Sequence, residues 1–291
     1  MITVDALKKS SETDLIQLNW VGMEAVTLPM AVFLGGVKTH VPCEFDIFVN
    51  LVNPSKGIHM SRLYEILNQY AQLHVLSFQG VRDLLDQCVL SQHGLSTDAK
   101  IVSSLAIPVS VTTLESKRSY LKSVPLKCVF LKSGNKLTTE IQFLLDYSST
   151  CPQSAALAHQ LTVSEMEKQN LQSGPDAIDW LQLRGFVATP HSQRSQASVS
   201  IFLRDDFELA DFANLFLQMG NFLGTPTQGL VKRVDEQEFA RLNANNLMFC
   251  EDAARKLIVF LKGLPQALSG SGKVSHLESL HSHNAVSFFE F

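Results

Sequence analysis

Apolar and polar residues follow a period of two, then a helical period, then a period of two again through the first half of the chain. Alternation in runs rich in valine, isoleucine and phenylalanine is typical of strands, whereas apolar residues three or four positions apart are typical of helices. The predicted elements, in order, are strands at 24–34 and 43–53, helices at 60–75 and 79–91, and strands at 100–113 and 119–132. The first half therefore has the order ββααββ.

The second half shows the same order of elements. They are strands at 136–147 and 196–204, helices at 207–222 and 246–263, and strands at 272–279 and 284–290. An extra stretch, about 153–182, separates the first two of these strands, and its first part has a helical pattern. From this order we predict an N-terminal segment at 1–22, a first module at 23–133 and a second module at 134–291 with a helical insertion.

Composition narrows the class of partner. Of the 291 residues, 45% are hydrophobic and 18% are charged, which is typical of a folded globular chain rather than a disordered one. The formal net charge of -4 argues against a protein that binds nucleic acid or an anionic membrane. A local basic pocket for a phosphorylated small molecule is compatible with this charge, so we expect a small partner.

Two features bear on the cellular compartment. The N-terminal stretch has no uninterrupted apolar region of the kind found in secretory signals, and no later stretch reaches the roughly 18 apolar residues of a membrane-spanning helix. The five cysteines are odd in number, widely spaced and without a Cys-x-x-Cys pair, which fits a reducing compartment better than a disulfide framework. We therefore expect a cytoplasmic protein without a membrane anchor.

The segment from Lys56 to Arg62 is the first candidate for chemistry. It places Lys56, His59, Ser61 and Arg62 in a glycine-containing turn between a predicted strand and a predicted helix. The free backbone N–H groups and the dipole of a helix N-terminus favour an anion. The residues alone leave two interpretations open, which are a triphosphate site and a solvated turn with an ordinary helix cap.

Cys151 is the second candidate, because it directly follows a predicted strand. A thiolate there would serve as a metal ligand or a nucleophile, although a single cysteine is also commonly a small buried hydrophobe. At the far end of the insertion, His191 and Arg194 stand in a dense polar run before the next strand. His191 is a candidate ligand, and His159 on the inserted helix is a rival that spacing does not exclude.

Acidic and histidine-rich runs near the C-terminus complete the candidates. The runs 232–236 and 249–252 each place two acidic residues near a predicted helix boundary, where a solvated face or a helix cap is the commoner role. The run 276–284 contains three histidines and a glutamate. If it forms a strand, His281 and His283 share one face. A metal-free polar turn is the other interpretation.

Taken together, six short segments resemble, in order, the signature motifs of type IB GTP cyclohydrolase I, a family of the tunnelling-fold superfamily. They are KGIHMSRL at 56–63, CPQS at 151–154, HSQRS at 191–195, LVKRVDE at 230–236, FCED at 249–252 and LESLHSHNA at 277–285. The sequence departs from many members at Gln153, where they have a cysteine, and in the forty positions from Cys151 to His191, where they have about a dozen. An insertion between two strand ends need not move those ends.

The resemblance implies an α+β fold, the tunnelling fold, with two tandem ββααββ modules, antiparallel sheets and helices on one face. It also implies a homo-oligomer, expected to be a homotetramer, with active sites at subunit interfaces. The implied enzyme is a hydrolase of cyclic amidine C–N bonds that converts GTP and water to 7,8-dihydroneopterin 3'-triphosphate and formate. This reaction is the first step of tetrahydrofolate biosynthesis and, in many bacteria, supplies queuosine biosynthesis.

The resemblance also implies a metal site. Cys151, His191 and Glu236 match the family's metal-site positions, and the ion is expected to be Mn, Fe or Zn. His191 is preferred to His159 because only His191 stands in the matching HSQRS context. Guanine carbon 8 is a poor electrophile, and a divalent metal brings the pKa of bound water towards about 7.

The remaining implied roles concern the substrate. Cys151, Glu278 and His281 are expected to be catalytic, with His281 preferred to His283 as the group that protonates N7 and N9 of the opening ring. Glu251 is expected to accept two parallel hydrogen bonds from guanine, a pattern that adenine does not offer. The expected triphosphate ligands are Lys56, His59, Arg62 and Arg194.

Three alternatives to a GTP cyclohydrolase that forms dihydroneopterin triphosphate remain. A related cyclohydrolase would yield a cyclic phosphate of dihydroneopterin, and a non-catalytic protein of the same fold would bind a purine or pterin only. A thioimide-forming nitrile reductase of the same superfold fits less well, because KGIHMSR and ESLHSHNA belong to the cyclohydrolase pattern.

Overall fold

A computed structural model describes residues 16–34, 37–171 and 173–291, so residues 1–15 of the predicted N-terminal segment lie outside the described residues. The strands are β1 Leu18–Leu34, β2 Val37–Leu51, β3 Asp98–Thr112, β4 Ser119–Ser133, β5 Lys136–Thr150, β6 Ser192–Leu203, β7 Ala267–His276 and β8 Ala285–Glu290. The helices are α1 Met60–Leu73, α2 Phe78–Ser91, α3 Pro152–Lys168, α4 Pro175–Arg184, α5 Phe212–Leu223, α6 Arg233–Asn245 and α7 Cys250–Lys262, with a 3-10 turn at Leu209–Asp211.

All eight strands form one sheet in sequence order, and each strand is antiparallel to its neighbours. Helices α1 and α2 connect β2 to β3, α3 and α4 connect β5 to β6, and the last three helices connect β6 to β7. The predicted class, α+β with antiparallel strands, is confirmed.

Alternation along the strands explains why one face of the sheet is covered. In β2, Cys43, Phe45 and Ile47 are buried, whereas Glu44 is exposed and Asp46 is only partly buried. These inward residues join the inner sides of α1, α2, α5 and α7 in a continuous hydrophobic core. The buried residues of α3 and α4 do not belong to that core, so the predicted insertion is an addition at the end of β5.

Two of the differences from the sequence predictions bear on the site. Helix α6 was not predicted, because its sequence is mostly polar and Asp235 is its one buried residue. Strand β7 covers 267–276 rather than 272–279, so Glu278 lies in the loop that follows it. The missed first half of β7 contains Gly270, where a Cβ atom would collide with the carbonyl oxygen of Ser200 on β6. Glycine gives no strand signal, yet it permits this close approach.

The buried Asp235 fixes α6 to the turn between β3 and β4. Its Oδ1 accepts hydrogen bonds from the backbone N–H groups of Glu115 and Ser116, both at 2.8 Å, and its Oδ2 accepts one from Ser116 Oγ at 2.6 Å. Burial raises the pKa of Asp235, but these hydrogen bonds outweigh burial and hold the pKa well below its usual range. The start of α6, where Glu236 lies, is therefore held in place.

The antiparallel order gives the sheet two distinct ends. At the first end β5 finishes, β6 begins and β7 finishes, because Thr150 pairs with Ser192 and Ser195 pairs with His276. At the second end β2 finishes and β5 begins, through the pairs Val49–Ala99, Asp98–Ser133 and Ser133–Lys136. Among the described helices, none is both long enough and apolar enough to span a membrane.

Candidate active site

Cys151 and His191 lie side by side at the first end of the sheet. Cys151 follows the last residue of β5, His191 precedes the first residue of β6, and the Cys151 N–H donates to the His191 carbonyl oxygen at 3.3 Å. Ser154, in the first turn of α3, accepts from the His191 N–H at 3.1 Å. The insertion thus begins and ends at one place, whereas His159 is exposed on α3 beside the apolar side chain of Phe186.

Cys151 differs from the other four cysteines in its surroundings. It is half-exposed at the N-terminus of α3, and the others are buried. Burial raises the pKa of Cys43, Cys88 and Cys128 to about 12. Burial, with a hydrogen bond to Glu251, raises the pKa of Cys250 to about 11. These four side chains stay protonated at neutral pH, which makes Cys151 the cysteine best placed for chemistry.

Glu278 brings a carboxylate to the same place. The backbone N–H of Leu277 donates to the Arg194 carbonyl oxygen at 3.1 Å, which holds the loop after β7 against β6. The Glu278 side chain is 10% exposed, and its Oε2 lies 3.6 Å from Nδ1 of His191. Within the described part of the chain, this buried oxygen has no hydrogen-bond partner. The loop after β7 therefore brings the Glu278 carboxylate against the His191 imidazole, at the end of the sheet where Cys151 also lies.

The thiol of Cys151 and the imidazole of His191 are chemically suited to a divalent cation, because thiolate and imidazole are ligand types that zinc and its neighbours bind. Oε2 of Glu278 lies on the Nδ1 side of the His191 ring, where a buried carboxylate oxygen without a partner is costly unless a cation or donor meets it. The described residues nevertheless contain no group of three His, Cys, Asp or Glu side chains arranged to hold a metal. Glu236 is exposed in a surface pocket lined also by Ser148 and Arg194.

A buried polar network lies behind these residues. Gln193 contacts His191, Ser149 and Glu278, and Ser149 Oγ lies 2.8 Å from Ser195 Oγ and 3.1 Å from His276 Nδ1. The Tyr147 hydroxyl lies 2.9 Å from Nε2 of His276. Burial lowers the pKa of His276 to about 4, although the charges of Glu251 and Asp252 act in the opposite direction. His276 is therefore neutral at pH 7.

Glu251, His281 and His283 lie in two segments near the first end of the sheet. The Met248 N–H donates to the Thr150 carbonyl oxygen at 3.3 Å, which places the start of α7, and with it Glu251, beside the end of β5. His281 and His283 lie in the exposed loop between β7 and β8, not in a strand. Their rings nevertheless stack, with centroids 5.2 Å apart.

The Lys56–Arg62 segment lies at the second end of the sheet. His59 N–H donates to Gln92 Oε1 at 2.7 Å, and Arg62 Nη1 donates to the Ser91 carbonyl oxygen at 2.6 Å. Strand β5 has 15 residues and rises about 45 Å along its length at ~3.3 Å per residue. The structure therefore does not bring Lys56, His59 or Arg62 close to Cys151 and His191 of the same chain. Arg194 is exposed at the first end.

Sequence reasoning assigned no role to Gln193, Ser149 or Tyr147. A signal was present, because residues of one face recur at period two along a strand. In β6 the inward series runs from Gln193 and Ser195 to apolar residues, so two polar side chains occupy core positions at its start. Polar residues at inward strand positions indicate a site, since burying them without partners is costly.

Comparisons with known proteins define the class of this chain. A family model described as "Type I GTP cyclohydrolase folE2" matches residues 5–287. GTP cyclohydrolase FolE2 of Pseudoalteromonas atlantica is 39% identical over 292 residues, covering 98% of this chain and 95% of the relative. The protein of that name in Hahella chejuensis is 38% identical over 286 residues, covering 97% and 93%. The chain belongs to the type I GTP cyclohydrolase folE2 family, which confirms the resemblance seen in the motifs.

Among solved structures, uricase from Arthrobacter globiformis aligns with 94% of this chain and 92% of that chain, at 9% identity and a TM-score of 0.48.

Proposed function

We propose that this protein is a metal-dependent GTP cyclohydrolase that forms 7,8-dihydroneopterin 3'-triphosphate and formate. Membership of the family supports the substrate and the reaction class. The observation that carries the proposal is the position of Cys151 beside His191 at the end of the sheet, with the buried Glu278 carboxylate 3.6 Å from Nδ1 of His191. Opening an imidazole ring requires an activated water molecule and proton transfer, and these residue types can support both.

Cys151, His191 and Glu236 would hold the metal, which supplies, when bound, a water molecule of lowered pKa. Mn, Fe and Zn all suit a mixed sulfur, nitrogen and oxygen site. Glu278 Oε2 lies 3.6 Å from Nδ1 of His191 and would help to hold the ring in place. Cys151 and His191 are partly buried rather than fully enclosed, so a planar base could approach them at this end of the sheet.

Glu251 and His281 would act on the purine. The Glu251 carboxylate is exposed beside the end of β5 and would accept two hydrogen bonds from the guanine N1–H and 2-amino groups. His281 would deliver protons to N7 and N9 as their bonds to carbon 8 break. His281 stands in an exposed loop next to His283, so it can exchange its proton with solvent.

The proposal includes a homo-oligomer, a tetramer of chains that each contain two tandem tunnelling-fold modules. The distance between two groups of predicted site residues supports this assembly. Within one chain, the length of the sheet separates Cys151 from Lys56, His59 and Arg62, and this length exceeds that of a nucleotide. A second copy would supply these side chains to the triphosphate, with Arg194 contributed by the first. Co-expressing Lys56→Ala and Cys151→Ala chains should restore activity that neither chain has alone, and no recovery would contradict a shared site.

The cellular context is part of the same proposal. The five unpaired cysteines support a cytoplasmic enzyme, and the family reaction supports a place at the first step of tetrahydrofolate biosynthesis.

The assay is incubation of metal-free protein with GTP after loading with Mn²⁺, Fe²⁺ or Zn²⁺. We expect formate and, after oxidation, fluorescent neopterin with at least one metal. Absence of both products with every metal would refute the proposal. Mass spectrometry of the product distinguishes the linear triphosphate that we propose from a cyclic phosphate.

A further inference from the structure

Gln193 joins two residues of the candidate site and has no assigned role. It is the second residue of β6, faces inward and is 8% exposed. Its Oε1 lies 3.0 Å from Nδ1 of His191. Its Nε2 donates to Ser149 Oγ at 3.1 Å and to Glu278 Oε1 at 3.4 Å.

The neighbours of this amide determine which way it points. An amide nitrogen only donates and an amide oxygen only accepts, while a carboxylate oxygen only accepts. Turning the amide over would place Gln193 Oε1 against the oxygen of Glu278, two acceptors facing each other. The hydroxyl of Ser149 adapts to either orientation, so Glu278 decides. The nitrogen must face Glu278 and the oxygen must face His191.

The amide orientation in turn decides the tautomer of His191. Because Gln193 Oε1 is an acceptor, Nδ1 of His191 must carry the hydrogen. Oε2 of Glu278, 3.6 Å from the same nitrogen, favours a hydrogen there as well. A neutral imidazole with its hydrogen on Nδ1 has its lone pair on Nε2. We infer that Gln193 is a positioning residue, which fixes His191 in the Nδ1–H tautomer and presents Nε2 as a metal ligand.

The surroundings of Gln193 make this arrangement rigid. Ser149, which receives the amide nitrogen's second hydrogen bond, is itself held by Ser195 and His276 in the buried network. The strand pair Ser149–Gln193 fixes the two backbones relative to each other. A histidine ligand is commonly oriented by a hydrogen bond to its other ring nitrogen, and here the amide of Gln193 has that place. The binding of a metal through Nε2 of His191 rests on the proposed function. The tautomer of His191 does not depend on a metal.

The decisive variant is Gln193→Met, which keeps the length of the side chain and removes its hydrogen bonds. Gln193→Glu is the second variant, because it keeps an acceptor for Nδ1. The matched control is Gln196→Met, since Gln196 lies on the same strand and its Nε2 donates to Asp146 Oδ1 at 3.0 Å without contacting His191. Folding of each variant is checked by circular dichroism and by its oligomeric state.

Two measurements are made on each protein. Nitrogen-15 NMR of the metal-free protein, labelled at histidine, reports which ring nitrogen of His191 carries the hydrogen. Titration with Co²⁺ against a competing chelator, followed by the thiolate–cobalt absorption, reports affinity. We expect the Nδ1–H tautomer in the wild type and in Gln193→Glu. In Gln193→Met we expect a mixture of tautomers and an affinity about 10- to 100-fold lower, with no such loss in the control.

The outcomes separate this inference from the proposed function. An Nε2–H tautomer in the wild type overturns the inference whatever the variants do, and so does Gln193→Met with unchanged tautomer and unchanged Co²⁺ affinity. If Gln193→Met does not fold, a change to Nε2–H in Gln193→Glu overturns it. If the wild type has the Nδ1–H tautomer but binds no Co²⁺, the metal site fails while the role of Gln193 in setting the tautomer stands.

Discussion

Lowering the pH from 7 to 5 should destabilise the fold through the buried His276. This side chain is 2% exposed and contacts Tyr147 and Ser149 through its two ring nitrogens. Burial lowers its pKa to about 4, against 6.5 for an ordinary histidine. Because the folded-state pKa is the lower one, the unfolded chain binds more protons between these values. Stability is present above pH 6.5 and is lost as the pH falls towards 4.

The size of the effect follows from the same two pKa values. At pH 5 the histidine is almost fully protonated in the unfolded chain and mostly neutral in the folded one. Proton linkage then gives a loss of about 2 kcal/mol between pH 7 and pH 5, out of about 3 kcal/mol for the whole shift. A loss of this size is a large part of the stability of a typical domain.

The assay is urea unfolding at pH 7 and pH 5 at one protein concentration, because assembly also affects apparent stability. The wild type should lose about 2 kcal/mol more than His276→Gln over this interval. His276→Gln also lowers stability at pH 7, but only the difference between the two pH values is compared. An equal loss in both proteins would refute the reasoning, since other titrating groups would then account for all of the pH dependence.

Five further substitutions test the site and its support. Cys151→Ser should abolish metal binding, measured by mass spectrometry under native conditions, and leave the Tm nearly unchanged. Cys88→Ser should bind metal normally but lose about 1–3 kcal/mol in urea unfolding, because it buries a hydroxyl in the core. Glu236→Gln should weaken metal binding, whereas Glu278→Gln should retain metal and lose turnover; the opposite pattern would exchange their roles. Asp235→Asn should lower the Tm in calorimetry, because four hydrogen-bond donors lose an anionic acceptor.

The strands and most helices could be predicted because their burial is one-sided. Strand β2 buries every second residue from Cys43 to Val49, and α7 buries Ala253, Leu257 and Leu261 at helical spacing. Helix α6 could not be predicted in this way, because its stability comes from the contacts of Asp235 with a turn more than a hundred positions earlier in the chain. A contact of that kind leaves no periodic signal in the sequence.

The candidate site was predictable in its parts but not in its arrangement. Cys151 and His191 stood out through their motifs. Because the insertion lies between paired strand ends, it keeps these two residues together although they are forty positions apart in the sequence. The sequence did not indicate that Glu278 is buried against His191, because the end of β7 was predicted too late in the chain. It also did not indicate the separation of Lys56 from Cys151, which depends on the strand order across the sheet.

The central claim is tested most directly by GTP labelled with carbon-13 at carbon 8. Metal-free protein, protein reloaded with one metal ion per chain, and reloaded Cys151→Ser are each incubated with this substrate, and the products are followed by carbon-13 NMR. We predict labelled formate from the reloaded wild type alone, in amounts that rise with metal until each chain holds one ion. Labelled formate from the metal-free protein, or equally from reloaded Cys151→Ser, would contradict a metal-dependent site at Cys151.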